Sequence, residues 1–286
     1  MFLTPERSNI NRKFNKDSWQ YRHLYTMWDF DSEKNGTDNL KCLGPFREDA
    51  WDLPNDGTAT FTKAHDRVIG GGRVVGDFLD DGDTDSFWGP TSGQLLIYPP
   101  TPFSVAAWVY CSSGADNSAS TICSENRHNA FDNQFVATRL SSTNWDFFWR
   151  WGNTQAFSNS HSFNLDNKWV LLVGVSVSDT DRRIHLRSTE GFDDVTATGG
   201  SGPTTDSTTR FQIGSWNRFG PREWWQEQIA EIRIYRGALS ESQVTDLWCH
   251  PLDIWENSRL LVAEAGGGGG GANLTQHYYH TLLGGH

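Results

Sequence analysis

Apolar positions recur every second residue through much of this chain, which is the period of a half-buried strand rather than a helix. In residues 228–235, Ala230, Ile232 and Ile234 fall on one side and Glu231, Arg233 and Tyr235 on the other, so one face is expected to meet a core and the other water. Residues 103–110 repeat the pattern, with Phe103, Val105, Ala107 and Val109 opposite Trp108 and Tyr110. Residues 169–177 are apolar on both sides, which predicts a strand at the centre of a sheet. Further strands are predicted over 24–31, 121–124, 134–140, 145–151, 183–187, 195–198 and 211–215, with turn residues between them. One helix is predicted, from Leu239 to Trp248. Ser240 and Gln243 have the spacing of a capping box, Leu239 can staple onto Val244, and Pro251 keeps the helix from running further.

This order of elements is all-β: a two-sheet antiparallel jelly-roll sandwich with one short C-terminal helix, rather than alternating βαβ units. Residues 1–23 are polar with mixed charge and are expected to form an N-terminal arm, 24–251 the sandwich domain, and 252–286 an extended tail containing six consecutive glycines at 266–271. A length of 286 residues is ample for one sandwich of this kind.

Several motifs carry a family resemblance. The strand ending in Ile232-Arg233-Ile234-Tyr235, followed by Arg236-Gly237-Ala238-Leu239-Ser240, resembles the end of a laminin-G-like, concanavalin-A-like jelly-roll domain. Trp28-Asp29-Phe30-Asp31 resembles its opening. Asp81-Gly82, Asp85 and Phe87 are similar to an internal Asp-Gly-x-x-Asp-Tyr element, and 103–109 to a Phe-Ser-Val-x-Ala-Trp-Val strand. Glu227 and Ala230 stand where the family pattern has Gly and Asp, so any role tied to that Asp does not carry over. The resemblance spans about 24–251 and implies the sandwich fold.

Composition narrows the function classes. A net charge of −11 and a pI near 5.2 argue against unspecific binding of nucleic acid or anionic membranes, which needs clustered Lys and Arg. No apolar run is long enough to span a bilayer, and the first residues lack the apolar core of a secretory signal. Cys42, Cys111, Cys123 and Cys249 lack metal-ligand spacing. Cys111 and Cys123, expected on consecutive strands, are candidates for a bridge, against the plainer reading of four buried thiols.

Three chemistries have candidate residues. For carbohydrate, Trp145, Phe147, Trp149 and Trp151 share one side of a strand, with Arg150, Asn144 and Asn153 nearby as hydrogen-bonding groups. Trp216, Trp224 and Trp225 form a second group. Aromatic planes suit the CH faces of sugars, but the same residues are equally the material of a sandwich core. The carbohydrate-binding set is therefore Trp149, Trp151, Arg150 and Trp224. For Ca2+, Asp81, Asp83 and Asp85 alternate along an acidic loop and can present oxygens to a hard cation, against the alternative of a solvated turn. For glycoside hydrolysis, the Glu-x-Asp-x-x-Glu strand motif of jelly-roll relatives is absent. Glu223, Glu227 and Glu231 are spaced too far apart, and Glu231 reads as a surface residue.

The expectation is a protein that is not an enzyme. A virion accessory protein, decorating a capsid or associated with a tail, is the first reading. Its resemblance to bacteriophage structural proteins includes the His250-Pro251-Leu252-Asp253-Ile254-Trp255 segment. The arm and tail would then dock on other virion proteins, the chain would form a homo-oligomer, and the sandwich would touch host glycans. The alternative is a calcium-assisted carbohydrate-binding adhesin module outside the cell or on its surface, and a glycoside hydrolase comes third.

Overall fold

The computed structural model describes residues 13–31, 39–45, 52–54, 60–63, 74–78, 87–88, 102–111, 120–127, 133–139, 145–151, 154–156, 165–178, 180–198, 209–217, 221–222, 225 and 227–255. In chain order the elements are α1 (Trp19–His23), β1 (Leu24–Asp29), β2 (Asn39–Leu40), β3 (Cys42–Leu43), β4 (Leu53–Pro54), β5 (Thr60–Lys63), β6 (Val74–Asp77), β7 (Phe87–Trp88), β8 (Phe103–Cys111), β9 (Ser120–Arg127) and β10 (Asn133–Arg139). They continue with β11 (Trp145–Trp151), β12 (Thr154–Ala156), β13 (Lys168–Ser176), β14 (Asp181–Arg187), β15 (Phe192–Thr198), β16 (Thr209–Ile213), β17 (Trp216–Asn217), β18 (Pro221–Arg222), β19 (Gln228–Arg236) and α2 (Glu241–Cys249).

Two sheets hold most of these strands. The larger runs β15-β14-β13-β8-β19-β1-β3, with β6 also joined to β19 and β5 to β6. The smaller runs β12-β11-β10-β9-β16-β7. The pairings are antiparallel, as expected for a jelly roll. Neither described helix is long and apolar enough to cross a membrane.

The core between the sheets follows from the alternation. Phe103, Val105, Ala107, Val109 and Cys111 of β8 meet Val170 and Leu172 of β13, Ile184 and Leu186 of β14, and Ile122, Cys123, Phe211 and Ile213 of the smaller sheet. Trp28 lies parallel to Phe211 with ring centroids 4.5 Å apart. Full burial of each such side chain contributes about 1.5–3 kcal/mol. As its two-sided apolarity predicts, β13 is internal, paired with β8 on one side and β14 on the other.

The far face of the larger sheet departs from expectation. Glu231, Arg233 and Tyr235 do not meet water; each is at most 1% exposed. They lie in a second apolar layer with Trp108, Trp169, Leu171, Val173 and Val175, roofed by residues 14–21, α2 and Ile254–Trp255. Strand alternation shows which residues share a face but not whether a later segment covers it. Ala230 also sits in this outer layer, although Ile232 and Ile234 face inward. The cause is a bulge: between Ile229 and Glu231 the register against β8 gains one residue, so the alternation restarts.

Helix α2 begins where its cap predicts. Ser240 Oγ accepts from the Gln243 amide at 3.3 Å, and Gln243 Oε1 accepts from the Ser240 amide at 3.0 Å. Leu239 and Val244 are both buried in the outer layer. The turn into the helix needs Gly237, whose φ is +93°. The stretch read as an arm contributes to the cover from residue 14 on. Ser18 caps the short helix α1, Phe14 stacks on Trp255 at 4.6 Å, and the Asn15 amide donates to the Ile254 carbonyl at 2.8 Å.

Candidate functional site

The strand proposed to meet sugar, β11, lies between β10 and β12 in the smaller sheet, with Trp149 opposite Ala156, Arg150 opposite Gln155 and Trp151 opposite Thr154. Its first residue, Trp145, is fully buried in the core between the sheets, 6.5 Å from the ring of Trp225. For Trp145 the core reading holds, whereas Trp225, read with Trp216 and Trp224 as a second exposed group, is buried instead. The side chains of Trp149, Arg150 and Trp151 lie outside the described residues, as does Trp224. The acidic loop with Asp81, Asp83 and Asp85 also lies outside them. Among the described residues, no three His, Cys, Asp or Glu side chains gather in a way that could hold a metal.

The outer side of the smaller sheet is polar where it is described. Ser124 of β9 and Gln212 of β16 are register partners on the face opposite Cys123 and Ile213. Both are buried, as is Ser215. Ser124 Oγ donates to the Ser215 carbonyl at 3.0 Å, and Ser215 Oγ donates to Gln212 Oε1 at 3.4 Å. The β17–β18 ladder, which begins just after Ser215, lies against β9. Strands β10, β11 and β12 continue the sheet on the other side of β9. In the sequence only β16 hints at this floor, where Gln212 stands between Phe211 and Ile213; β9 is polar at most positions and gives no such pattern.

A second polar cluster went unread in the sequence because it joins residues from two strands and a helix. His185 is 4% exposed, and its Nδ1–H donates to Asp194 Oδ1 at 2.5 Å. Arg187 Nη1 donates to the same oxygen at 2.7 Å, while its Nε donates to Thr245 Oγ1 of α2 at 3.4 Å. The Arg187 guanidinium lies 4.9 Å from the ring centre of Phe192, which is 50% exposed. His185 is therefore a buried strand residue. Burial pushes its ring below the usual His range, against the pull of Asp194, so it is neutral near pH 7. Burial alone would raise the Asp194 carboxyl. The hydrogen bonds from Arg187 and His185 outweigh it and hold the group below the usual Asp value.

Glu231, expected at the surface, is buried and ion-paired with Arg233 Nε. Arg233 also donates from Nη1 to Gln20 Oε1 at 2.8 Å and from Nη2 to the Pro251 carbonyl at 2.5 Å, and it lies 4.7 Å above Trp108. Beside this pair the Tyr235 hydroxyl, above all through burial, is pushed up to about 12. None of the four cysteines is in a disulfide. Cys111 and Cys123 stand on consecutive strands of opposite sheets without a bridge, and burial raises the Cys123 thiol far above its ordinary range.

A family model described as the concanavalin A-like lectin/glucanases superfamily matches residues 82–245, more than half of the chain. Among solved structures, the botulinum neurotoxin serotype D binding domain is similar over 81% of this chain and 52% of that one, at 13% identity and a TM-score of 0.53. A crystal structure of a receptor binding domain is similar over 80% of this chain and 51% of that one, at 11% identity and a TM-score of 0.52. The chain thus spans about half the length of these two, and at such identities the likeness is one of fold. No curated protein matches.

Proposed function

We propose that this chain, which belongs to the concanavalin A-like lectin/glucanases superfamily, is a carbohydrate-binding module that receives its ligand on the smaller sheet, at β10, β11 and β12. The observation that carries this reading is the asymmetry of the two sheets. Apart from its edge strand β15, the larger is packed on both faces, by the inter-sheet core and by the outer layer of α1, α2 and the segment ending at Trp255. The smaller carries the aromatic strand, and beside it a polar floor of Ser124, Gln212 and Ser215. In this reading Trp149 and Trp151 stack on sugar rings at the end of β11 remote from the buried Trp145, Trp224 adds a further ring, Arg150 hydrogen-bonds to hydroxyls, and Asp81, Asp83 and Asp85 hold a Ca2+ ion that orders their loop.

The module is proposed to work without catalysis. Glu231, one of the three acids considered for hydrolysis, is buried and committed to Arg233, which supports a structural role for it. The proposed setting is outside the cell. A virion, with the segments before residue 13 and after residue 255 docking on other virion proteins and the chain forming a homo-oligomer, is the second reading. One observation favours it: the antiparallel bridge between Phe14 and Trp255 brings these two residues together on the face of the larger sheet turned away from the smaller one. That geometry suits a domain held from behind with its binding sheet outward.

A glycan array probed with the full chain, with and without a chelator, tests the reading. The expected result is binding to a defined class of glycans, weakened on the order of tenfold or more in the Trp149→Ala/Trp151→Ala variant, and reduced by chelation. No binding above background, or equal binding by the variant, overturns it. Density-gradient fractionation of source lysate tests the setting: sedimentation with assembled particles at fixed stoichiometry supports the virion, and free protein at the top rejects it.

A further inference from the structure

From the edge strand β15 we infer a second sugar-binding surface, independent of the smaller sheet, that takes a single neutral hexopyranose ring between Phe192 and Asp194. Among the described residues, Phe192 is the one large hydrophobic side chain that lies exposed to solvent. Asp194 is two residues on and projects from the same face, about 7 Å along the strand. One buried side chain positions both. Arg187 is fully buried. Its guanidinium sits against the Phe192 ring, its Nη1 holds Asp194 Oδ1, and its Nε is fixed to Thr245 of α2.

This arrangement has consequences for each exposed group. The Phe192 ring is backed by a cation and so held in place, with the ring half exposed to solvent. In Asp194, His185 and Arg187 both bind Oδ1, which leaves Oδ2 as the acceptor for an incoming donor. An aromatic plane beside a pre-oriented carboxylate matches the two sides of a pyranose: an apolar CH face and an edge of hydroxyl donors. The carboxylate disfavours acidic sugars by like-charge repulsion. The ligand class is therefore neutral. The pair is too small a patch to anchor a folded protein, since a stable protein interface needs on the order of 800 Å2 per partner.

The test is an amide chemical-shift titration of the full chain with the methyl glycosides of glucose, galactose and mannose. The expected result is a saturable shift confined to residues 185–196 with at least one of the three. Phe192→Ala and Asp194→Asn each weaken it on the order of tenfold, and Phe192→Tyr, which keeps the aromatic plane, retains it. Folding is controlled by the thermal midpoint of Phe192→Ala, which removes a half-exposed ring. The Trp149→Ala/Trp151→Ala variant separates this surface from the smaller sheet: its shifts at 185–196 remain, whatever happens at β9–β12. No shift at 185–196 with any of the three sugars overturns the inference. So does unaltered binding by Phe192→Ala, or a shift on concentrating the protein without sugar, which would assign the edge to a second copy.

Discussion

His185 shows how much one residue's surroundings change its chemistry. In the unfolded chain its ring has an ordinary pKa, whereas in the fold burial depresses it despite the hydrogen bond to Asp194. The unfolded state therefore takes up a proton first as the pH falls. The stability tied to the neutral ring is fully present above the unfolded value of 6.5 and is lost as the pH drops from there toward the lower folded value. Over that window each pH unit costs about 1.4 kcal/mol. Asp194 acts in the same direction at lower pH, because its folded value lies below 3.8. Urea midpoints measured between pH 7.5 and 5 should thus fall for the wild type and stay flatter for His185→Asn. Equal slopes for the two proteins would mean that His185 is not the group responsible.

At the scale of elements, the helix with its cap was legible in the sequence because capping is local. Ser240 needs only Gln243, three residues away, and the structure forms both hydrogen bonds of the box. Removing the hydroxyl in Ser240→Ala should cost about 1 kcal/mol, read as a lower urea midpoint with an unchanged slope; an unchanged midpoint would show that the cap contributes nothing. The inward face of β8 was legible for a similar reason, since Phe103, Val105, Ala107 and Val109 alternate within one strand, and β13 was legible as an internal strand because it is apolar on both sides. What could not be read was long-range. The bulge at Ala230 depends on register with β8, and the burial of Glu231 and Arg233 depends on α1 and Pro251 arriving from elsewhere. The candidate site was legible mainly as a strand. Its first tryptophan, Trp145, proved to be core, while the polar floor and the Arg187 cluster each needed a strand pairing that no sequence pattern specifies.

For the whole molecule, the same long-range contacts decide how residues 14–23 and 250–255 are held. Arg233 lies at the centre of the outer layer, where it joins β19 to Gln20 of α1 and to the Pro251 carbonyl beyond α2. Gln20 passes the connection on, donating to the His250 carbonyl at 2.8 Å, and Trp19 donates to Asp246 at 2.7 Å. Burial opposes the guanidinium's charge, but Glu231 more than offsets it, so the arginine is held charged even more firmly than usual. Such a pair owes its value to completeness. Arg233→Ala strands a buried carboxylate and should cost about 3–5 kcal/mol, whereas Arg233→Met with Glu231→Leu removes both charges and should cost far less. Unfolding in urea measures the difference, and hydrogen exchange locates it. In the single variant, protection should fall first at residues 14–23 and 250–255, while β8 and β13 stay protected. Uniform loss across both sheets would instead make Arg233 part of the global core. If the loss is local, the outer layer is a separate clasp. It holds residues 14–23 and 250–255 against β19 without entering the core between the sheets.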